Sequence, residues 1–262
     1  MNITDTCSKT VTSPQLANNY MANRTRTPTA TKKVVFLGML FVSFLIVSNL
    51  TAFKIVELHL ASGLAINFPA ALIFFPLTYF FDDVLTEVYG FKMSRLIIWG
   101  GLFCSALMTI CTWMAVQLPA SPLWDSNTGH GAKAYELVFA GSLRIFLASI
   151  TAYFFGEFVN SMVLAKLKVK TKGRYFSLRV ICSTAVGAAI DNVIFCNIAF
   201  WHVMPLAMIW QIIFTQYLIK LSYEFLMLPM TYSLVNYLKK TDNIDYYDKH
   251  TRFNPFSLKL TD

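Results

Sequence analysis

Eight ionisable residues stand inside apolar stretches of this sequence: Asp82, Asp83, Glu87, Arg144, Glu157, Asp191, Lys220 and Glu224. Their spacing sorts them onto helix faces. Asp83 and Glu87 are four apart and share a face with Tyr79. Tyr153, Glu157 and Asn160 form a second stripe, and Gln216, Lys220 and Glu224 a third, at i, i+4 and i+8. Asp191 shares a face with Thr184 and Gly187. The set holds six acids against two bases, so the acids cannot all pair with those bases. Some must be protonated, solvated or available to a ligand. The excess of acid argues against an anionic ligand. It suits a cation, a proton route or a neutral molecule rich in N–H donors. A carboxylate accepts two parallel hydrogen bonds from an amidine-like edge, such as the N1–H and 2-amino group of guanine. Aromatic side chains beside it can stack on a flat heterocycle.

The elements that must hold these residues are membrane helices. The chain has 262 residues, of which 56% are hydrophobic and only 14% charged. Soluble domains carry nearer 25% charged residues. The apolar residues fall in long runs, and about 18 suffice to cross a bilayer. Backbone groups in hydrocarbon must bond internally, so such runs are helices. We read six spans, at about 34–56, 68–89, 95–118, 137–164, 176–201 and 206–238. The predicted fold is therefore an all-α integral membrane bundle of six transmembrane helices. Residues 1–32 read as a disordered cytoplasmic tail without a signal-peptide h-region, 33–240 as the membrane domain, and 241–262 as a cytoplasmic tail. A charge at the bilayer centre costs about 2.5–3.5 kcal/mol even on a lenient scale. Facing lipid, the eight would cost on the order of 10–20 kcal/mol. They should face the bundle interior, pair with each other or line a wet cavity.

Cations between the runs give the orientation. Arg24, Arg26, Lys32 and Lys33 precede the first run, and the next loop has none. Lys92 and Arg95 follow the second run, and Lys133 alone follows the third. Lys166, Lys168, Lys170, Lys172 and Arg174 follow the fourth, none the fifth, and Lys239 and Lys240 the sixth. Rich and poor loops alternate, which places both termini inside. The net charge of +8 is explained this way rather than by nucleic-acid binding.

Other features say less. Of the cysteines, Cys104, Cys111, Cys182 and Cys196 lie in apolar runs and Cys7 in the tail, with no CxxC pair. They read as packing residues. His59, His130, His202 and His250 lie in or near loops without shared ligand spacing, so no metal or other cofactor is expected. Pro69, Pro76 and Pro229 are positioned to kink or break helices. Gly90 reads as a helix C-cap. The tripeptide Ser-Leu-Arg at 142–144 and 177–179 is too short to mark a duplication.

Phe75-Pro-Leu-Thr-Tyr79, followed by Asp83-Val-Leu-Thr-Glu-Val-Tyr-Gly90, resembles the queuosine precursor transporter family, also called the vitamin uptake transporter family. Ser48-Asn49-Leu50, Lys54-Ile55-Val56, Arg144, Ala152-Tyr153, Leu178-Arg179, Ser183-Thr184, Asp191, Lys220 and Pro229 continue the resemblance over about residues 34–238. Asp82, Asn160, Ala188 and Asn192 depart from its usual pattern. The resemblance implies import of 7-deazaguanine compounds across the bacterial inner membrane for transfer-RNA modification. Candidates are 7-cyano-7-deazaguanine, 7-aminomethyl-7-deazaguanine and queuine.

On that reading the substrate-binding candidates are Asn49, Asp83, Glu87, Arg144, Asp191, Asn192 and Lys220. Asp83 and Asp191 would accept from the donor edge of the base. Arg144 and Lys220 would act as counter-ions or bind its carbonyl oxygen, and Asn49 and Asn192 would add neutral hydrogen bonds. The expected partners are a small purine-like molecule and the lipid bilayer, and no nucleic acid. Two other readings compete. One is a binding subunit of an energy-coupled uptake complex, since the chain has no Walker A motif. The other is an intramembrane aspartyl enzyme, which would need two aspartates meeting across helices. Neither a GxGD-type nor a GxSxG motif is present, so an enzyme is not expected.

Overall fold

The computed structural model describes residues 28–52, 54–59, 65–122, 131–139, 143–249, 251 and 253–256. The expectations for residues 1–27, Cys7, His130 and His250 lie outside these. Helix α1 (Pro28–Thr51) leads into a hairpin of β1 (Ile55–His59) and β2 (Ala65–Pro69). A short α2 (Ala71–Phe74) and α3 (Pro76–Tyr89) follow, then α4 (Phe91–Gln117) and α5 (Gly131–Phe139). The last three helices are α6 (Leu143–Lys170), α7 (Phe176–Phe200) and α8 (Leu206–Asp242). The strands run antiparallel, with Ile55 opposite Pro69 and His59 opposite Ala65.

Several boundaries differ from the sequence reading. Helix α1 takes in residues 28–32, expected in the tail. The hairpin replaces a simple polar connection, and residues 68 and 69 pair in β2 instead of opening the second helix. That helix is broken at Phe75, because Pro76 has no N–H and sits at the first position of α3. Helix α5 covers residues 131–136, expected in the loop after the third span, and residues 137–139, expected to open the fourth, so α6 opens at Leu143 and runs on to Lys170. Gly90 does close α3, with φ +86°.

Among the described residues, four helical stretches are long and apolar enough to cross a membrane: Lys32–Thr51, Phe91–Gln117, Phe146–Lys170 and Phe176–Phe200. Six were expected. The two shortfalls are α3, with 14 residues, and α8, with 37 residues but Gln211, Gln216, Lys220 and Glu224 along its middle. Both carry the acidic stripes noted above, so polarity and membrane length compete in the same elements.

The surface is apolar and part of the interior is polar. Phe103 is 69% and Leu226 75% exposed, whereas Asp83, Glu157 and Asn160 are 0% exposed. This inversion suits hydrocarbon as solvent. An apolar core of Phe41, Leu45, Phe80, Val84, Leu85 and Ile98 binds α1, α3 and α4 together. Gly156 and Gly187 let α6 and α7 approach closely. A Cβ on Gly187 would lie 2.9 Å from both the Gly156 carbonyl oxygen and the Asn160 Cβ.

The segment after α8 does not hang free as a polar tail. It turns at Asn243 (φ +52°) and lies as a strap across the ends of α3, α4 and α6. The Tyr246 N–H donates to the Val88 carbonyl (3.2 Å), and the Phe91 N–H donates to Asp248 Oδ2 (3.1 Å). Arg95 Nη1 donates to the Asn254 carbonyl (2.9 Å) and Trp99 Nε1 to the Pro255 carbonyl (2.7 Å). Phe256 packs on Trp99 and Phe154. Burial opposes ionisation of Asp245, but hydrogen bonds from Lys168 and Lys239 outweigh it and hold the carboxyl below the ordinary range. Burial pushes Asp248 above that range, despite the bonds it accepts from Phe91 and Thr251.

Candidate functional site

The polar residues lie in three layers along α6, at Ser149, at Glu157 to Ser161, and at Lys168. Helices α3 and α6 run in the same direction, so the Glu157 layer meets Thr78 to Asp83 and the Lys168 layer meets Glu87, while the Ser149 layer meets Asn49 of α1. Spacing within one helix reveals the stripes; only packing reveals which stripes meet.

In the middle layer, Asp82 accepts hydrogen bonds from Ser94 Oγ of α4, from Ser161 Oγ (2.5 Å) and from Asn160 Nδ2 (3.3 Å). Asn160 Nδ2 also donates to Asp83 Oδ1 at 2.9 Å. Thr78 Oγ1 donates to Glu157 Oε1 at 3.1 Å. Lys220 of α8 pairs with Asp191 of α7 and donates to Asn192 Oδ1 at 2.7 Å. Its ammonium also lies 4.6 Å from the centre of the Phe75 ring, at the break before α3. Phe75 and Tyr79 meet edge to face at 5.6 Å.

Several buried atoms of this layer have no hydrogen-bond partner among the described residues. They are Asp83 Oδ2, Glu157 Oε2, Asn160 Oδ1, Glu224 Oε1, the Tyr79 hydroxyl, Thr184 Oγ1 and Asn192 Nδ2. Such orphans are uncommon in folded proteins and call for a reason. Among the described residues, Asp82, Asp83, Glu157, Asp191 and Glu224 share the layer with one base, Lys220, which Asp191 already engages. The arrangement can therefore offer acceptors, one amide donor and an aromatic face to a molecule that inserts among them.

The sequence candidates divide. Asp83, Asp191, Asn192 and Lys220 meet in the middle layer. Glu87 is at the cation-rich end instead. Its two oxygens accept from Arg179 at 2.6 and 3.1 Å, Lys239 donates at 2.7 Å, and Lys168 stands 3.7 Å away. Four buried or half-buried charges thus lock α3, α6, α7 and α8 together beneath the strap, and Lys168 also donates to Asp245 Oδ1 at 2.6 Å. Arg144 is exposed at the opposite end, where Nε and Nη2 each donate at 2.5 Å, to the carbonyls of Ile198 and Trp201. It caps the C-terminus of α7. Asn49 accepts from Ser149 Oγ (3.0 Å) and donates to Ser105 Oγ (3.3 Å). With Thr109 and Thr112 it lines a cavity of about 70 Å³ at that same end.

Some partners escaped the sequence reading. Arg179 lies at the polar start of the predicted fifth span, and Lys168 lies beyond the predicted end of the fourth, so neither stands out in the sequence as a buried base. Ser94 and Ser161 are ordinary in type and stand in no motif, and Thr78, although within the Phe75–Tyr79 motif, has no spacing that points to Glu157. Phe75 stood in the distinctive motif, but nothing in its spacing placed it near Lys220.

Comparison with known proteins adds to this geometry. A family model described as "Putative vitamin uptake transporter" matches residues 69–234. A Bacillus subtilis (strain 168) protein named "Probable queuosine precursor transporter" is 31% identical over 188 residues, covering 71% of this chain and 77% of that one. No solved structure matches. The family match takes in the whole stretch from Phe75 to Glu224, and with it every residue of the middle layer. With its apolar membrane-length helices, this multi-pass membrane protein belongs to the vitamin uptake transporter family.

Proposed function

We propose that this protein imports a queuosine precursor across a bacterial inner membrane, through six spans with both termini in the cytoplasm. The candidate cargoes are 7-cyano-7-deazaguanine, 7-aminomethyl-7-deazaguanine and queuine. The observation that carries the reading is the set of buried acceptors without partners on Asp83 and Glu157. A 7-deazaguanine base presents adjacent N1–H and 2-amino donors, which two carboxylate oxygens match. Asp191 is a further acceptor once Lys220 turns to the O6 carbonyl of the base. Asn192 Nδ2 supplies a neutral donor, and Phe75 and Tyr79 supply ring faces. Glu87 and Arg144 have other duties in this account: one closes the cation-rich end and the other caps α7. Asn49 belongs to the approach from the opposite side.

The chain's own count of spans agrees with the alternation of cations if α3 and α8 also cross. Their polar stripes face inward, where neighbouring helices shield them from lipid. Uptake of a labelled base by cells with and without the protein tests the reading. We expect saturable uptake only with the protein, lost in Asp191→Ala at equal membrane abundance. Equal uptake in both strains, with the protein present in the membrane, would end it.

A further inference from the structure

We propose that Glu224 is a proton-binding site and that import proceeds with inward movement of a proton through it; the second half rests on the transport reading above. Glu224 lies in the middle of α8 and is 1% exposed. Among the described residues it makes no hydrogen bond and no ion pair, and its Oε1 is buried without a partner. An ionised carboxylate in that setting is strongly disfavoured, whereas a neutral carboxylic acid is tolerated.

The other titratable groups of the layer do not relieve it. Helix α3 presents Tyr79, Asp82 and Asp83, α6 presents Tyr153 and Glu157, and α7 presents Asp191. The carboxyl groups of Asp82, Asp83, Glu157 and Asp191 oppose a further anion by like charge, and the phenols Tyr79 and Tyr153 carry no positive charge to offset it. Helix α2 has none. On α8, Lys220 is four residues away, one turn along the same face, but pairs with Asp191. Lys220 is thus the base that Glu224 can reach when it ionises, provided Asp191 has turned to another donor. The donor edge of a bound base is such a partner.

The direction follows from which end is sealed. In this structure the Glu87 cluster and the C-terminal strap close the cation-rich end, while the cavity beside Asn49 lies at the other. By the distribution of cations the sealed end is the inner one. The form holding the proton is therefore closed to the inside. Loading is from outside water: one proton joins a Glu224 carboxylate oxygen as the new O–H bond forms. After the inner end opens, that O–H bond breaks, the proton passes to inner water, and the carboxylate left behind pairs with Lys220. One neutral base and one proton enter per cycle, with no other reactant.

The test uses purified full-length protein and its Glu224→Gln variant, both in lipid vesicles. Labelled 7-cyano-7-deazaguanine, 7-aminomethyl-7-deazaguanine and queuine are each offered with the outside one pH unit more acidic. One proton per molecule supports about tenfold accumulation under that gradient. We expect such accumulation by the wild type, collapse to equality with a protonophore, and no accumulation by Glu224→Gln. Infrared spectra of the same samples read the carbonyl stretch of protonated carboxyl groups without any ligand. That band should weaken in Glu224→Gln. A band unchanged by the substitution, or accumulation that ignores the gradient, overturns the proposal. A weakened band with none of the three bases taken up supports the proton site and removes the cargo assignment instead.

Discussion

Lys220 and Asp191 are buried together, and each is the counter-ion that lets the other remain charged away from water. Lys220→Ala leaves Asp191 unpaired and should destabilise the protein by about 3–5 kcal/mol. The double variant Lys220→Ala with Asp191→Ala should lose much less than the sum of the two single losses. Thermal unfolding of the four proteins in one detergent completes the cycle. Additive losses would show that the pair is not coupled. At this scale the sequence was informative about inventory. It identified which residues would be costly in lipid, and the stripes at i, i+4 and i+8 put Lys220 and Glu224 on one face. It was uninformative about partnership across helices, because that depends on packing angle and depth. Glu87 shows the difference. Four residues from Asp83, it read as part of the same site, yet one helical turn carries it to Arg179, Lys239 and Lys168.

Helices α6 and α7 pack through Gly156 and Gly187, which seats Asp191 against Gly156 and Asn160 against Gly187. Gly187→Ala would place a methyl group 2.9 Å from backbone and from Asn160. Overpacking of this kind costs about 1–3 kcal/mol. We expect a lower melting temperature together with reduced uptake. An unchanged melting temperature would mean that the two helices can part freely. The strap offers a pH-dependent counterpart. Asp245 is lowered on docking, so its contribution is present above its undocked value and fades as pH falls through its docked one. Asp248 is raised, so its ionisation works against docking as pH rises. Exchange at the Tyr246 amide, corrected for its intrinsic rate, should increase on acidification below the ordinary carboxylate range. Asp245→Asn should flatten that rise; a rise of the same size in the variant would remove Asp245 from the latch. Most helix positions could be read from the apolar runs. The hairpin, the break at Phe75 and the docked strap could not. The strap is polar by composition, and its attachment rests largely on backbone carbonyls and ring contacts that leave no pattern in the sequence.

For the whole molecule, one asymmetry organises the rest. Cations and their carboxylate partners close one end, neutral polar groups line a small cavity at the other, and a layer with more acid than base lies between. Anionic cargo would meet repulsion in that layer, and a neutral base with two adjacent N–H donors would fill acceptors that otherwise lack partners. The most direct measurement is equilibrium binding, by calorimetry, of 7-deazaguanine and of 7-deazahypoxanthine, which differs by lacking the 2-amino group. Losing that group leaves a buried carboxylate oxygen unsatisfied, worth about 1–3 kcal/mol, or roughly five- to hundredfold in affinity. The wild type should prefer 7-deazaguanine by that factor, and Asp83→Asn should shrink the preference. Equal affinity for the two bases, or binding of neither, would contradict the account.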